Sequence, residues 1–203
     1  MSAPDHYFSA EPAAPDERRT IDVRLRGRDV RVTTAPGVFS ADHLDTGTRV
    51  LLDAVPAPPA TGELLDLGCG WGPLALAMAA ESPGARVWAV DVNDRALDLV
   101  RVNAAAVGAA GVRAATPDEA LTHRPSLAVI WSNPPIRIGK RSLHDLLATW
   151  LDLLAPDGEA WLVVAKNLGA DSLQRWIATE LGFEAERTAS VKGFRVLKVT
   201  RRA

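Results

Sequence analysis

The stretch LLDLGCGWGP, residues 64–73, has the pattern of a short apolar strand, a glycine-rich turn and the start of a helix. Glycines at such a turn adopt positive φ and let a ligand approach the backbone, while the following helix offers unpaired N–H groups. Pro73 suits the first helical position. The spacing of Gly68, Gly70 and Gly72 departs from the G-x-G-x-x-G of dinucleotide-binding turns, and the sequence has no P-loop pattern. The stretch therefore predicts a site for a nucleoside without phosphates.

Two carboxylates flank this predicted site. Asp66 lies just before the glycines, where it would repel a phosphate and favour a cationic group. Asp91 ends the next predicted strand, ARVWAVDV, at a position where an acid can accept hydrogen bonds from both hydroxyls of a ribose. The pair supports a nucleoside ligand that carries a positive charge.

Strand-like and helix-like runs alternate from residue 63 onward. This alternation predicts an α/β fold, Rossmann-like and doubly wound, with a mostly parallel seven-stranded sheet and an antiparallel last strand. The run SLHDLLATWLDLLAPDG, residues 142–158, predicts a helix whose end is marked by Pro156 and Gly158. Gly182 predicts a left-handed cap on the next helix, and the last two strands are expected to join near Ser190.

The residues before the glycine turn predict a small extension. TIDVRLRGRDVRVTT, residues 20–34, alternates apolar and charged residues around Gly27, as a β-hairpin does, and a helix is expected from about Thr46. We predict a loose lead-in over residues 1–19, a hairpin and helix that pack on the catalytic domain over 20–60, and a methyl-transfer or nucleoside-binding domain over 61–203. The lead-in lacks the basic start and apolar core of a secretory signal.

The composition favours a soluble, cytoplasmic globular protein of 203 residues, with 47% hydrophobic and 24% charged residues. Its apolar runs are too short for a membrane span, and a single cysteine, Cys69, excludes an internal disulfide and a thiolate metal site. The net charge of −2 gives no global attraction to nucleic acid. Basic residues nevertheless form three clusters that are consistent with an RNA-facing surface. The clusters are Arg18, Arg19, Arg24, Arg26, Arg28 and Arg31; Arg137, Lys140 and Arg141; and Lys192, Arg195, Lys198, Arg201 and Arg202.

LLDLGCGWG followed by VDVN resembles the first two motifs of class I S-adenosylmethionine-dependent methyltransferases, over roughly residues 37–200. The resemblance implies that S-adenosylmethionine is the cofactor, that Asp66 lies near its amino group directly or through water, and that Asp91 holds the ribose. It also implies that Val92 packs on the adenine. Many relatives bind the adenine amine through an acid or amide after the third strand, where this chain reads AATPDEA and Asp118 is the candidate. The loop residues expected to pass under the cofactor are Gly68, Cys69, Gly70 and Gly72.

A second motif, WSNPPI at residues 131–136, follows a buried strand. Asn-Pro is a common turn opener, but after the fourth strand of such a sheet it resembles the catalytic motif of amino methyltransferases acting on adenine, guanine or glutamine amides. The Asn133 oxygen and the Pro134 carbonyl would accept the two hydrogens of an amine, with Pro135 fixing the geometry in advance. Ile136 would lie along the base, where other members have an aromatic ring that stacks better. Asn133 is expected to contact the cofactor as well.

The flanking segments GVFSADHLDTGTRVLLDAV and GFRVLKV resemble the small-subunit ribosomal RNA guanine-N2 methyltransferases. They also resemble their short single-domain relatives, which share HYFS and NPPIRIGK. The resemblance implies that Phe39 and Asp45 lie over the cofactor, although Phe39 would equally suit core packing. It implies ribosomal RNA or the small ribosomal subunit as the partner, with no membrane and no metal. RNA contacts would come from the arginine-rich hairpin, Arg137, Lys140 and the basic last strand.

Three other functions remain open at this stage. Asn-Pro-Pro would also serve a protein glutamine-amide methyltransferase or a small-molecule N-methyltransferase. A non-catalytic binding module could keep the fold, although it need not retain the glycine turn, Asp91 and Asn133 together.

Overall fold

The structure of the chain is a computed structural model that describes residues 14–202, so the predictions for residues 1–13, including HYFS, lie outside it. The strands are β1 (Arg19–Leu25), β2 (Arg28–Thr34), β3 (Glu63–Leu67), β4 (Arg86–Val90), β5 (Val112–Ala115), β6 (Leu127–Ser132), β7 (Leu154–Ala165), β8 (Glu184–Val191) and β9 (Phe194–Thr200). The α-helices are α1 (Thr46–Ala54), α2 (Pro73–Glu81), α3 (Asp94–Ala106), α4 (Pro117–His123), α5 (Lys140–Leu151) and α6 (Ala170–Glu180). Short 3₁₀ helices cover Ile136–Ile138 and Lys166–Leu168.

Seven strands form one sheet in the order β5-β4-β3-β6-β7-β9-β8. Neighbours from β5 to β7 are parallel, and β9 is antiparallel to both β7 and β8. Alternate strand residues point to opposite faces: Leu64 packs under α1, α2 and α3, while Leu65 packs under α4, α5 and α6. Both faces are therefore covered, and the predicted doubly wound fold with an antiparallel last strand is confirmed.

The hairpin β1–β2 forms a separate two-stranded sheet, as predicted. Its two-residue turn places Arg26 and Gly27 at φ of 46° and 83°, the pair of positive values that a type I′ turn requires. The Arg26 guanidinium donates to Glu81 Oε1 at 2.6 Å and to the carbonyls of Leu52 at 2.6 Å and Val55 at 2.9 Å. The turn is thereby tied to α1 and α2. The division of the chain at residues 19/20 and 60/61 stays a prediction.

The predicted end of α5 is wrong. The helix ends at Leu151, and both Pro156 and Gly158 lie inside β7. Between the pairs Leu127–Leu154 and Val129–Glu159 the register shifts, so that a step of two residues along β6 faces a step of five along β7. A Cβ at Gly158 would lie 2.5 Å from a backbone oxygen of β6. Proline and glycine therefore mark a bulge in a strand rather than the end of a helix.

Two further local features differ from the sequence prediction. Strands β8 and β9 join at Lys192 and Gly193, whose φ values are 49° and 80°, whereas Ser190 still lies in β8. The stretch AATPDEA begins helix α4, because Thr116 caps it and Glu119 completes a capping box. Gly182 has φ of 74° and follows α6 in the left-handed conformation that was predicted.

Candidate active site

A pocket opens where the carboxyl ends of β3, β4 and β6 meet. The chain passes from β3 to β4 on one side and reaches β6 on the other, so the pocket lies at the switch point of the sheet, where open α/β folds bind ligands. The residues that line it are Phe39, Ser40, Asp45, Thr48, Asp66, Gly68, Cys69, Gly70, Trp71, Pro73, Leu74 and Asn133.

The glycine turn adopts the backbone conformation that the sequence predicted. Gly68, Gly70 and Gly72 have φ of 75°, 53° and 94°, values that residues with a Cβ rarely adopt. The N–H groups of Gly68 and Cys69 donate to the Val90 carbonyl at 2.9 and 3.0 Å. The floor of the pocket is thus fastened to the end of β4.

Asp91, directly after β4, supports the same turn from the other side. Its Oδ2 accepts the Gly70 N–H at 2.9 Å and its Oδ1 accepts the Asn93 N–H at 3.0 Å. Burial raises the pKa of the Asp91 carboxyl, and these backbone hydrogen bonds oppose the rise. Each oxygen keeps a lone pair for a ligand hydroxyl. Val92 beside it is 43% exposed, which leaves an apolar side chain free for a flat ring.

Asp66 is fully buried at the end of β3. Its Oδ2 accepts the Ala75 N–H at 2.8 Å, whereas Oδ1 has no hydrogen-bond partner among the described residues. Burial raises the pKa of this carboxyl to about 8, and the nearby Asp91 raises it further, against the opposing hydrogen bond from Ala75. A buried acceptor without a donor is costly, so Asp66 is the group in this pocket that a cationic ligand would satisfy.

Asn133 follows β6 and is held through its amide nitrogen. Nδ2 donates to Asp45 Oδ2 at 2.8 Å and to Thr48 Oγ1 at 3.1 Å. A carboxylate only accepts hydrogen bonds, so this contact fixes which end of the amide is the nitrogen. The Asn133 oxygen has no partner among the described residues and belongs to the wall of the pocket.

Asp45 has two tasks at once. It is the N-cap of α1, where Oδ2 accepts the Thr48 N–H at 2.9 Å, and the same oxygen receives the Asn133 amide. The sequence resemblance placed Asp45 over a cofactor, whereas its contacts within the protein are to the Asn-Pro-Pro motif. The start of α1 is thereby joined to the end of β6.

The two prolines after Asn133 form a rigid turn. Pro135 has φ of −74° and ψ of 74°, close to an inverse γ-turn, and the Pro134 carbonyl accepts the Ile136 N–H at 2.8 Å. The carbonyl direction is therefore set, and its second lone pair remains for another donor. Ile136 begins a 3₁₀ helix and packs partly against the core.

The segment of residues 36–45 borders the pocket on its open side. Trp71 Nε1 donates to the Ser40 carbonyl at 3.2 Å, Asn93 Nδ2 to the Gly37 carbonyl at 2.8 Å, and Arg95 to the Pro36 carbonyl at 2.7 Å. Phe39 is 48% exposed at the pocket rather than packed in the core. The segment presents an aromatic ring to whatever the pocket holds.

Comparison with known proteins assigns this arrangement to a family. Residues 29–198 match the family model described as methyltransferase small domain. The chain belongs to the methyltransferase small domain family. The match confirms the resemblance noted in the sequence and the expectation of an S-adenosylmethionine-dependent methyltransferase.

Individual members of the family are similar over most of this chain. An uncharacterized protein of Bacillus subtilis, YbxB, is 34% identical over 96% of this chain and 97% of its own length. A ribosomal RNA small subunit methyltransferase C of Pseudomonas aeruginosa is also 34% identical, over 94% of this chain but 58% of its own. The solved structure of the Thermus thermophilus 16S rRNA N2 G1207 methyltransferase, RsmC, in complex with AdoMet and guanosine superposes with a TM-score of 0.79 at 25% identity. It is covered over 52% of its chain, so this protein spans little more than half of these two relatives.

Most of the predicted site residues meet in the pocket, with one clear exception. Asp118 is exposed in the first turn of α4 and is not among the lining residues. Its role toward an adenine amine stays a prediction. Cys69 lies in the wall, and burial raises the pKa of its thiol well above the usual range, so it remains protonated at neutral pH.

Sequence reasoning missed Thr48 and Trp71, both of which line the pocket. Thr48 belongs to the segment that resembles the ribosomal RNA methyltransferases, so its position was available as a signal. Its contact with Asn133 was not, because 85 residues separate the two in the chain.

Over residues 14–202, no group of three or more His, Cys, Asp or Glu side chains is arranged to hold a metal ion. In the same range, no helix combines the length and apolar character needed to cross a membrane.

Proposed function

We propose that this protein transfers the methyl group of S-adenosylmethionine to an exocyclic amino group, guanine N2 of ribosomal RNA. The geometry of Asn133 carries the proposal, because its nitrogen is occupied by Asp45 and Thr48 and its oxygen is left for a donor at the pocket. The names of the Pseudomonas and Thermus relatives support guanine in ribosomal RNA as the target. Because the chain spans little more than half of each, this target is an inference from similarity.

The pocket fits S-adenosylmethionine through the groups already described. The unpartnered oxygen of buried Asp66 would accept from its cationic amino group, and Asp91 would receive the ribose hydroxyls. Val92 and Phe39 expose apolar surface for the adenine. When bound, the cofactor supplies a methyl group activated on a sulfonium.

An exocyclic amine on a base is a poor nucleophile, because its lone pair is conjugated with the ring. Two acceptors at its two hydrogens orient the amine and favour a more pyramidal nitrogen. The Asn133 oxygen and the free lone pair of the Pro134 carbonyl are two such acceptors on one rigid turn. Because the turn is held before substrate arrives, the orientation costs no reorganisation during the reaction. No acid or base with a shifted pKa is required.

Thr48 positions Asn133, and Thr48→Val tests this role. Valine keeps the shape of the buried side chain and removes the oxygen that receives Asn133 Nδ2 at 3.1 Å. We expect kcat to fall about 5- to 10-fold, in line with the roughly 1 kcal/mol of one hydrogen bond, with the KM for S-adenosylmethionine unchanged. Thr48→Ser should restore kcat. A serine variant as slow as the valine variant would assign Thr48 to packing alone.

Asp91 holds both the glycine turn and, by this proposal, the ribose. For Asp91→Ala we expect the Kd of S-adenosylmethionine to rise by roughly 10- to 150-fold, the equivalent of the 1.5–3 kcal/mol of a charged hydrogen bond. Isothermal titration calorimetry measures this change directly. The matched control is Asp53→Ala, which removes an exposed carboxylate from α1. Unchanged cofactor affinity in Asp91→Ala would contradict the assignment.

The function itself is tested with labelled S-adenosylmethionine. The protein is incubated with unmodified small ribosomal subunits, large subunits and protein-free RNA, and the modified nucleoside is identified after digestion. Label recovered as N2-methylguanosine from small-subunit RNA is the expected result. Label in a protein glutamine or in a free amine would transfer the assignment to one of the other amino methyltransferases.

A further inference from the structure

Three loops surround the substrate side of Asn133. They are residues 133–141 after β6, residues 166–169 after β7, and residues 192–193 between β8 and β9. Strands β6, β7 and β9 are neighbours, so these loops lie along one edge of the sheet. The Lys166 N–H donates to the Gly193 carbonyl at 2.8 Å, which joins the last two loops directly.

The three loops carry positive charge without any compensating carboxylate. They contain no Asp or Glu, and over residues 14–202 none of their cations forms an ion pair. All five cations are exposed: Arg137, Lys140, Arg141, Lys166 and Lys192. Phosphate groups are the natural partners of such an edge.

The other two basic clusters of the sequence are largely neutralised inside the protein. In the hairpin, Arg19 pairs with Asp42, Arg24 with Asp29, Arg26 with Glu81 and Arg31 with Asp22. In the last strand, Arg195 pairs with Asp171 and Lys198 with Glu159. The expectation that hairpin and last strand hold RNA therefore loses its physical basis, since these charges already have partners.

The same edge exposes apolar side chains among its cations. Leu168 is 48% exposed and Val191 is 46% exposed, next to the loops of Lys166 and Lys192. The Phe194 ring lies beside the start of α1, where a Cβ at Gly47 would come within 2.9 Å of it. Apolar and aromatic surface beside cations is what unstacked bases require, because each base has an apolar face and a charged backbone.

We propose that these three loops form a binding surface for single-stranded RNA, with the five cations on phosphates and Leu168, Val191 and Phe194 against unpaired bases. The inference rests on the proposed function, since it gives that site its substrate class. A paired guanine donates N2 to its cytosine, so its amine reaches the Asn133 turn only from an unpaired strand. A loop or end of RNA satisfies the charge, the apolar surface and this access together.

The test compares two matched double variants of the full chain. Lys166→Ala with Lys192→Ala removes two unpaired cations from the edge, and Arg24→Ala with Arg31→Ala removes two ion-paired cations from the hairpin. The probes are a fluorescent 12-nucleotide single-stranded RNA containing guanines and its duplex with the complement. Binding is followed by anisotropy across a series of salt concentrations.

The edge variant should lower the slope of log K against log salt by about 1.4, or 0.7 for each phosphate contact on a single strand. That slope corresponds to a roughly 25-fold weaker affinity at 0.1 M salt relative to the wild type. The hairpin variant should bind as the wild type does, and the duplex should bind more weakly than the single strand. Equal loss in both variants, or a duplex bound as tightly as the single strand, would overturn the surface.

Methyl transfer separates this inference from the function on which it rests. If single-stranded RNA binds with the expected variant pattern and none of it is methylated, the guanine target fails and the RNA surface stands. If RNA is methylated at guanine N2 and the lysine pair has no effect, the target stands and the surface fails.

Discussion

Asn133→Ala is expected to reduce kcat by roughly 10²- to 10³-fold, the loss of about 2.7–4 kcal/mol that follows removal of a preorganised polar group aimed at the reacting atoms. The variant removes the oxygen that would orient the target amine. It leaves the glycine turn, Asp66 and Asp91 in place, so the Kd of S-adenosylmethionine should stay nearly constant. Single-turnover methylation and calorimetric binding of the cofactor measure the two effects separately.

The structure also indicates why this variant should fold. Without Asn133, Asp45 still accepts the Thr48 N–H and still caps α1, so the thermal midpoint should change little. A parallel loss of cofactor affinity and turnover would contradict the proposal. In that outcome Asn133 would hold the pocket together rather than act on the amine.

Asp66→Asn is expected to make the protein's stability less dependent on pH. Asparagine is close in shape to the protonated carboxyl, it can accept from Ala75 N–H as Asp66 does, and it does not titrate. Burial raises the pKa of Asp66 to about 8 in the folded protein, whereas an unfolded aspartate has a pKa near 3.9. Between these values the unfolded chain has lost the proton that the folded protein keeps.

The sign of the effect follows from that difference. Stability is fully present below about pH 4 and is lost as pH rises toward 8, because unfolding releases a proton in this window. The wild type should therefore lose about 1.4 kcal/mol of unfolding free energy per pH unit relative to Asp66→Asn, or roughly 5 kcal/mol over the window. Urea unfolding at pH 5, 6, 7 and 8 measures this slope. The exposed variant Asp53→Asn is the control and should follow the wild type.

A constant difference between wild type and Asp66→Asn across this range would show that Asp66 is ionised in the folded protein throughout. The orphaned oxygen would then need a donor other than a ligand.

The sequence was most informative where function depends on neighbouring residues. The glycine turn could be predicted because Gly68, Gly70 and Gly72 need positive φ, a requirement that is visible in the residue types themselves. The alternation of apolar runs predicted the sheet for the same reason, since burial on both faces leaves a direct trace in composition. Asp91 could be placed because it ends a strand adjacent to that of Asp66.

The sequence was least informative about contacts between distant segments. Asn133 meets Asp45 and Thr48 across 88 and 85 residues, and no local pattern records such a contact. The charge count of the hairpin was misleading for a similar reason, because whether Arg19 is free depends on Asp42 from another segment. Pro156 and Gly158 suggested a helix end because both residues also suit a bulge in a strand.

The double use of Asp45 has a consequence for the dynamics of the enzyme. One carboxylate oxygen caps α1 and holds the Asn133 amide, so the first turn of that helix and the amine-orienting group share a single conformational equilibrium. Helix ends are among the first parts of a protein to open locally, at free energies far below global unfolding. The fraction of molecules competent for catalysis is then set by the closed state of one helical turn rather than by the folded state of the whole chain.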